Sequence, residues 1–566
     1  MATLDWIVIA IFALALVGII VWVMKQKQNN AADYFLGGKD ATWIAIGASI
    51  FASNIGSEHL IGLAGSGASS GMAMAHWEIQ GWMILLLGWV FVPFYSRSMV
   101  YTMPEFLVRR YNPESRTILS VISLISYVLT KVAVTVYAGG LVFQQVFGIE
   151  EVWGIDFFWI AAIGLVIITA LYTIFGGMKS VLYTSVLQTP ILLLGSLIIL
   201  VLGLRELGGW DEMMRVCSAV KVNEYGDSMV NLIRNNGDPQ YPWLGALIGS
   251  AVIGFWYWCT DQFIVQRVLS GKDEKEARRG TIFGAYLKLL PVFLFLIPGM
   301  IAFALHQNSL SAGGEGFLPL LANGSHNADA AFPTLVAKLL PAGVKGLIVC
   351  GILAALMSSL ASLFNSSAAL FTIDFYQRYR PDTDPKKLVR IGQAATIVIV
   401  ILGILWIPVM RSVGDVLYLY LQDVQSVLAP GIAAAFLLGV CWKRTTAQGG
   451  MWALITGLVI GLSRLGAKVY YSNAATLGAD DNIFKYLFYD VNWLFFCGWM
   501  LVFCLLVAIV VSLFTKAPDA QKIQGLVFGT STPEQRAVTR ASWNGWDIFH
   551  TCVILAITVA FYCYFW

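Results

Sequence analysis

Charge is what this sequence has least of. Only 12% of its 566 residues are Asp, Glu, Lys or Arg, whereas 58% are hydrophobic. A soluble globular chain carries about 25% charged residues, so an ordinary water-soluble protein is excluded. The net charge of +3 is small, and no basic cluster is interleaved with exposed aromatics, which excludes a nucleic-acid partner. The five histidines form no ligand-spaced set. The eight cysteines contain no Cys-x-x-Cys and give no disulfide framework. Seven of them, Cys259, Cys350, Cys441, Cys497, Cys504, Cys552 and Cys563, lie in or beside apolar stretches, and Cys217 stands alone in a polar one. Buried core thiols are expected. A cleavable signal peptide is also missing. The first apolar run, 4–24, has Asp5 at its start and Lys25 and Lys27 after it. That polarity is the reverse of a signal peptide's, and the run is long enough to span, so a retained first helix is expected.

What the sequence has in excess is apolar runs. A hydrocarbon core takes about 20 apolar residues per crossing, and fourteen segments qualify: 4–24, 42–68, 77–96, 118–143, 157–177, 182–204, 243–268, 281–305, 346–370, 388–409, 415–440, 447–467, 493–515 and 548–566. The 20 Trp suit the lipid–water interfaces. With the N-terminus outside, and with Arg267, Arg390 and Arg464 at span ends counted with the adjoining loops, the inner loops hold 24 of the 36 Lys and Arg and the outer segments 10; Lys131 and Lys288 fall well inside spans. The positive-inside bias therefore puts both termini on the extracytoplasmic side of a cell membrane. Two long outer loops, 205–242 and 306–345, are polar and are expected to be irregular; the inner loop 516–547 is also long. None is large enough to fold alone, so 1–566 is read as one membrane domain.

Polar breaks inside such spans are costly unless they line a cavity. The most interrupted span is the second, at Ala52-Ser53-Asn54-Ile55-Gly56-Ser57-Glu58-His59. It is either a loop between two short helices or a broken helix whose exposed carbonyls supply ligands near the midplane. The ninth span carries Ser358, Ser359 and Ser362, which share one helix face. They either permit close helix packing or offer hydroxyls to a small hard cation. No acidic residue stands in the cluster, which points to a monovalent ion rather than calcium. Ionisable and amide residues inside spans are functional candidates: Glu78 at the start of the third, Lys288 in the eighth, Asp261 and Gln262 after Trp256-Tyr257-Trp258, and Gln422 and Asp423 in the eleventh. Lys131 in the fourth either serves the site or neutralises a partner. Rings beside amides and charges suit a sugar, which has an apolar C–H face and hydroxyls that both donate and accept.

Four stretches carry a family resemblance: Gly47 to Gly71, Trp256 to Ser270, Ala355 to Tyr376 and Pro430 to Lys443. Through them the sequence resembles the sodium/solute symporter family, sodium–glucose cotransporter type, over nearly its whole length. The resemblance implies an all-α polytopic protein of about fourteen transmembrane helices with a LeuT-type core of two inverted five-helix repeats. Those would fall at 41–204 and 243–441, preceded by a first helix and cytoplasmic link (4–40) and followed by three helices (447–566). It implies a sodium site from the carbonyls of Ala52, Ile55 and Ala355 and the hydroxyls of Ser358 and Ser359. It implies a sugar site from Asn54, His59, Glu78, Tyr257, Trp258, Lys288 and Gln422. Tyr257 would be the inner gate, and Leu63, Trp77 and Tyr418 the outer cap. Ser185 stands where the family has Asp, Ala361 where two-sodium members have Thr, and Gly254 where a polar residue often touches the sugar. The expected activity is symport of one sodium with a neutral hexose. Myo-inositol, other polyols, sialic acid and proline are the rival solutes, and a sugar sensor on the same fold is the rival function. No nucleophile–base pair, metal set or phosphate loop suggests an enzyme.

Overall fold

Hydrocarbon offers backbone N–H and C=O groups no partner, so apolar segments must close their hydrogen bonds internally as helices. The computed structural model follows this rule and describes residues 2–25, 30–56, 58–321, 324–411, 417–471 and 482–566. Among the described residues, eleven helical runs are long and apolar enough to cross a bilayer. The only strands there form a small hairpin, Glu151–Val152 with Ile155–Asp156. Large apolar side chains such as Leu14, Trp499 and Val559 point outward, as a lipid-facing surface requires.

The sequence spans and the helices differ in instructive places. Segments 157–177 and 182–204 are two helices, as expected, but they meet without a loop in the 51-residue stretch Phe157–Leu207. At about 1.5 Å per residue that stretch would reach some 76 Å if straight, more than twice a hydrocarbon core of about 30 Å. It turns at Gly177, where φ is 54° and an added Cβ would lie 2.5 Å from the Tyr34 carbonyl oxygen. Glycine alone fits both constraints. The loops 205–242 and 306–345 are less irregular than expected. Trp210–Ala219 is an amphipathic helix that buries Met213, Val216 and Cys217, and Ala331–Leu339 is another, burying Phe332, Leu335 and Val336. Cys441, Cys552 and Cys563 are exposed, correcting the expectation of eight buried thiols.

Two spans are broken. The first runs as the helix Trp43–Asn54, opens at Ile55 (φ −81°, ψ 102°), and resumes as the π-helical turn Glu58–Leu63 and the helix Ala64–Ser70. The second was expected to be continuous over 243–268. It runs as Trp243–Gly254 and the π-helical turn Phe255–Thr260, opens at Asp261 (φ −76°, ψ 128°), and resumes as Gln262–Leu269. Asp261 caps the restart by accepting from the Phe263 N–H at 3.2 Å, the task for which Asp is suited. A further π-helical turn, Tyr127–Val132, carries Lys131. Such turns recur at functional sites because they re-aim side chains, and three of them supply residues to the chamber described below.

The serine cluster lies on a continuous helix, Val344–Ala369, packed against Trp43–Asn54 and Phe157–Leu207. Its N-terminus is capped from another helix. Asp5 Oδ1 accepts from the Gly343 N–H at 2.7 Å and the Gly346 N–H at 2.8 Å. A carboxylate there satisfies orphan donors and meets the positive end of the helix dipole. The first helix, Thr3–Met24, thereby anchors the serine helix.

Candidate functional site

Between the two breaks lies a narrow chamber of about 50 Å³, tighter than the roughly 300–1,000 Å³ of open small-molecule sites. All seven residues expected to hold the solute line it: Asn54, His59, Glu78, Tyr257, Trp258, Lys288 and Gln422. Asn54 ends the helix Trp43–Asn54 of the first broken span, and His59 sits one turn past its break. Glu78 ends the short helix Ala75–Glu78, and Lys288 ends Glu274–Lys288.

These groups form one network. Lys288 Nζ donates to Glu78 Oε2 at 2.5 Å and to Asn54 Oδ1 at 3.2 Å. His59 Nε2 lies 3.4 Å from Glu78 Oε2. Asn54 Nδ2 donates to the Tyr257 hydroxyl at 3.2 Å. Lys288 Nζ also sits 5.3 Å from the Trp258 ring centre. Gln422, on the helix Leu417–Cys441, is 7% exposed, and its Oε1 has no hydrogen-bond partner among the described residues. A buried acceptor left open costs about 1–3 kcal/mol.

The gate residues separate. Trp77 lines the chamber and stacks on Trp493, with ring centres 5.5 Å apart. Tyr257 lines it and meets Trp258 edge-on at 4.9 Å. Leu63 is fully buried in its π-helical turn and is not among the lining residues. The side chain of Tyr418 lies outside the described residues.

Of the five residues expected to hold a cation, Ser359 lines the chamber. Ser358 Oγ lies 3.3 Å from Ser185 Oγ, which also donates to the Val181 carbonyl at 2.6 Å. Ala52 and Ile55 are buried on the facing broken span, and Ala355 is buried on the serine helix itself. Hydroxyl and carbonyl oxygens without a carboxylate are a donor set suited to a monovalent hard ion. Ser362, one turn further, is engaged by Ser53, with Oγ–Oγ 2.6 Å.

Several lining residues carried no expected role. Glu58, Thr135 and Gln425 line the chamber. So does Gln80, which donates to the Ser250 carbonyl at 2.7 Å and accepts from Trp258 Nε1 at 3.3 Å. Gln80 also explains Gly254: a Cβ at 254 would stand 2.4 Å from Gln80 Oε1. Lone amides on apolar helices are signals that the polar-in-membrane rule could have flagged. Lys131 lines the chamber and pairs with Asp261 at 2.6 Å. Asp423 is not a lining residue; it pairs with Lys468. Arg267, counted with an inner loop in the sequence, is fully buried and donates to Ser53 Oγ at 3.2 Å and to the Phe263 carbonyl.

The chain matches the model of the "Sodium:solute symporter family" over residues 34–457. It is 37% identical over 540 residues to the human protein "Sodium/myo-inositol cotransporter 2", covering 93% of this chain and 79% of that one. It is 35% identical over 549 residues to the human "Sodium/myo-inositol cotransporter", covering 93% and 75%. Among solved structures, an outward-open "Na+-coupled sialic acid symporter" superposes with a TM-score of 0.73 at 22% identity, over 92% of this chain and 99% of the other; it attests the LeuT-type fold. With two broken spans around a polar chamber and a family match over most of its length, the chain belongs to the sodium:solute symporter family.

Proposed function

We propose that this sodium symporter carries a small neutral polyol, myo-inositol ahead of a hexose such as glucose or galactose. The observation that carries this is the charge balance around the chamber. Lys131, Lys288 and Arg267 face Glu58, Glu78 and Asp261, so the formal charges cancel. Lys288 is already held by Glu78 at 2.5 Å and Lys131 by Asp261 at 2.6 Å. An anionic solute such as sialic acid would find no uncommitted cation among these lysines, whereas ring hydroxyls can donate to Gln422 Oε1 and accept from Lys288 and Asn54. The rings of Tyr257 and Trp258 suit an apolar C–H face. The relatives' names supply the preference for myo-inositol over hexose.

In this reading the cation seat uses the carbonyls of Ala52, Ile55 and Ala355 with Ser358 and Ser359, Tyr257 is the inner gate, and Trp77 the outer cap. The chain crosses a cell membrane fourteen times with both termini outside, its two repeats at 41–204 and 243–441. One sodium accompanies each solute. A charge moved through 100 mV yields about 2.3 kcal/mol, and a tenfold sodium gradient adds about 1.4 kcal/mol. Together they support roughly a 500-fold solute gradient. The substrate reading is tested by counterflow in proteoliposomes loaded with labelled myo-inositol. Unlabelled myo-inositol should compete best, glucose and galactose less, and sialic acid and proline not at all. Glucose outcompeting myo-inositol would reverse the order; competition by sialic acid would overturn the neutral-solute reading.

A further inference from the structure

We propose that the Lys131 ammonium is a tethered cation that fills a cation seat at the second broken span, and so holds the transported charge to one sodium per solute. The proposal deepens the symport reading above and rests on it. Lys131 lies in a π-helical turn of the fourth span, 130 residues from its partner. Its Nζ donates to Asp261 Oδ2 at 2.6 Å. Four rings surround it, with centres at 4.5 Å (Phe263), 4.7 Å (Tyr257), 5.0 Å (Tyr127) and 5.4 Å (Trp256). A carboxylate with rings within about 6 Å is the chemistry that recognises a small ammonium ion.

The position of the carboxylate matters as much as the box. Asp261 is the residue at which the second span opens. In the first span the break at Ile55 and Gly56 has the Glu58 carboxylate against Gly56, and a mobile cation is proposed to meet the carbonyls of that break. Broken half-helices present carbonyl ends that attract cations near the midplane. The two breaks therefore share one demand, met at the first by an ion that leaves and at the second by an ammonium that cannot. The Tyr127 hydroxyl donates to Asp261 Oδ1, which holds the carboxylate in place independently of Lys131. Removing the ammonium thus leaves a formed, anionic, ring-lined seat open to the chamber.

The test uses the full-length protein in proteoliposomes, with wild-type uptake measured first; absence of sodium-driven uptake there would sink the symport reading rather than this one. In Lys131→Ala the vacated seat should bind a second sodium, so the reversal-potential shift per tenfold solute gradient should halve. Methylammonium, as a free replacement for the side chain, should raise uptake by Lys131→Ala several-fold and leave the wild type unaffected. The double variant Lys131→Met/Asp261→Asn removes both charges and keeps the helix cap, so its shift should return to the wild-type value. A Lys131→Ala transporter with the wild-type shift and no response to methylammonium would overturn the proposal. So would loss of uptake in Lys131→Ala that neither methylammonium nor the double variant restores.

Discussion

The first broken span opens at two residues without charge, Ile55 and Gly56; the second opens at Asp261, whose carboxylate Lys131 meets at 2.6 Å. Both breaks release backbone groups from the helical ladder inside an apolar environment, where such groups must be met by something polar. At the first, hydroxyls stand beside the Glu58 carboxylate that packs on Gly56: Ser53 reaches Ser362, and Ser359 faces the chamber. Hydroxyls satisfy an ion without fixing it. At the second, a full charge pair boxed by rings stays put. In the proposed reading one break is suited to cargo and the other to scaffold.

If the chamber depends on fixed charge pairs, removing one partner should have the largest consequence. Lys288→Met strands Glu78, and leaving a buried charge unpaired costs about 3–5 kcal/mol. Solute affinity should fall by two to three orders of magnitude in binding assays, and Glu78→Gln in the same chain should recover part of it. A smaller effect is expected at Gln422, whose acceptor awaits the solute. Gln422→Ala should weaken solute half-saturation about tenfold, the equivalent of roughly 1.4 kcal/mol; unchanged half-saturation would remove Gln422 from the site. At the first break, Ser359→Ala should raise the sodium concentration for half-maximal uptake several-fold. Ser362→Ala should move it less than Ser359→Ala, because Ser362 is already bonded to Ser53. Equal effects would erase the distinction between seat and scaffold there. The smallest change is expected from Tyr257→Phe, which keeps the ring and loses only the bond from Asn54. A net hydrogen bond is worth about 1 kcal/mol, so the turnover of solute counterflow should fall roughly threefold to tenfold.

The first break, Glu78, Lys288 and Gln422 were legible in the sequence because polar groups in a spanning run are expensive and therefore conspicuous; the full set of seven chamber residues came from the family resemblance. The second break was not. Segment 243–268 is apolar almost to its end, and Asp261 read as the polar end of a span, although Asp is also a helix-starting residue. Its pairing with Lys131 joins positions 130 residues apart, and no local spacing encodes such a contact. Gln80 was missed for a related reason: one amide on an apolar helix resembles a packed core residue until its partners, the Ser250 carbonyl and Trp258, are placed. The bend at Gly177 was legible as the boundary between segments 157–177 and 182–204, whereas the absence of a loop there was not. Arg267 was misassigned because the sequence cannot tell a buried guanidinium bonded to backbone from a loop cation.

Concentrative uptake with its charge count bears on the whole proposal at once. Proteoliposomes holding the wild-type protein should accumulate labelled myo-inositol when sodium is imposed outside, and a sodium ionophore should abolish the accumulation. The reversal potential should shift by about 59 mV per tenfold myo-inositol gradient, the value for one charge per solute. Accumulation indifferent to sodium would contradict the symport reading, and a shift near 30 mV would contradict the single mobile cation on which the contrast between the two breaks depends.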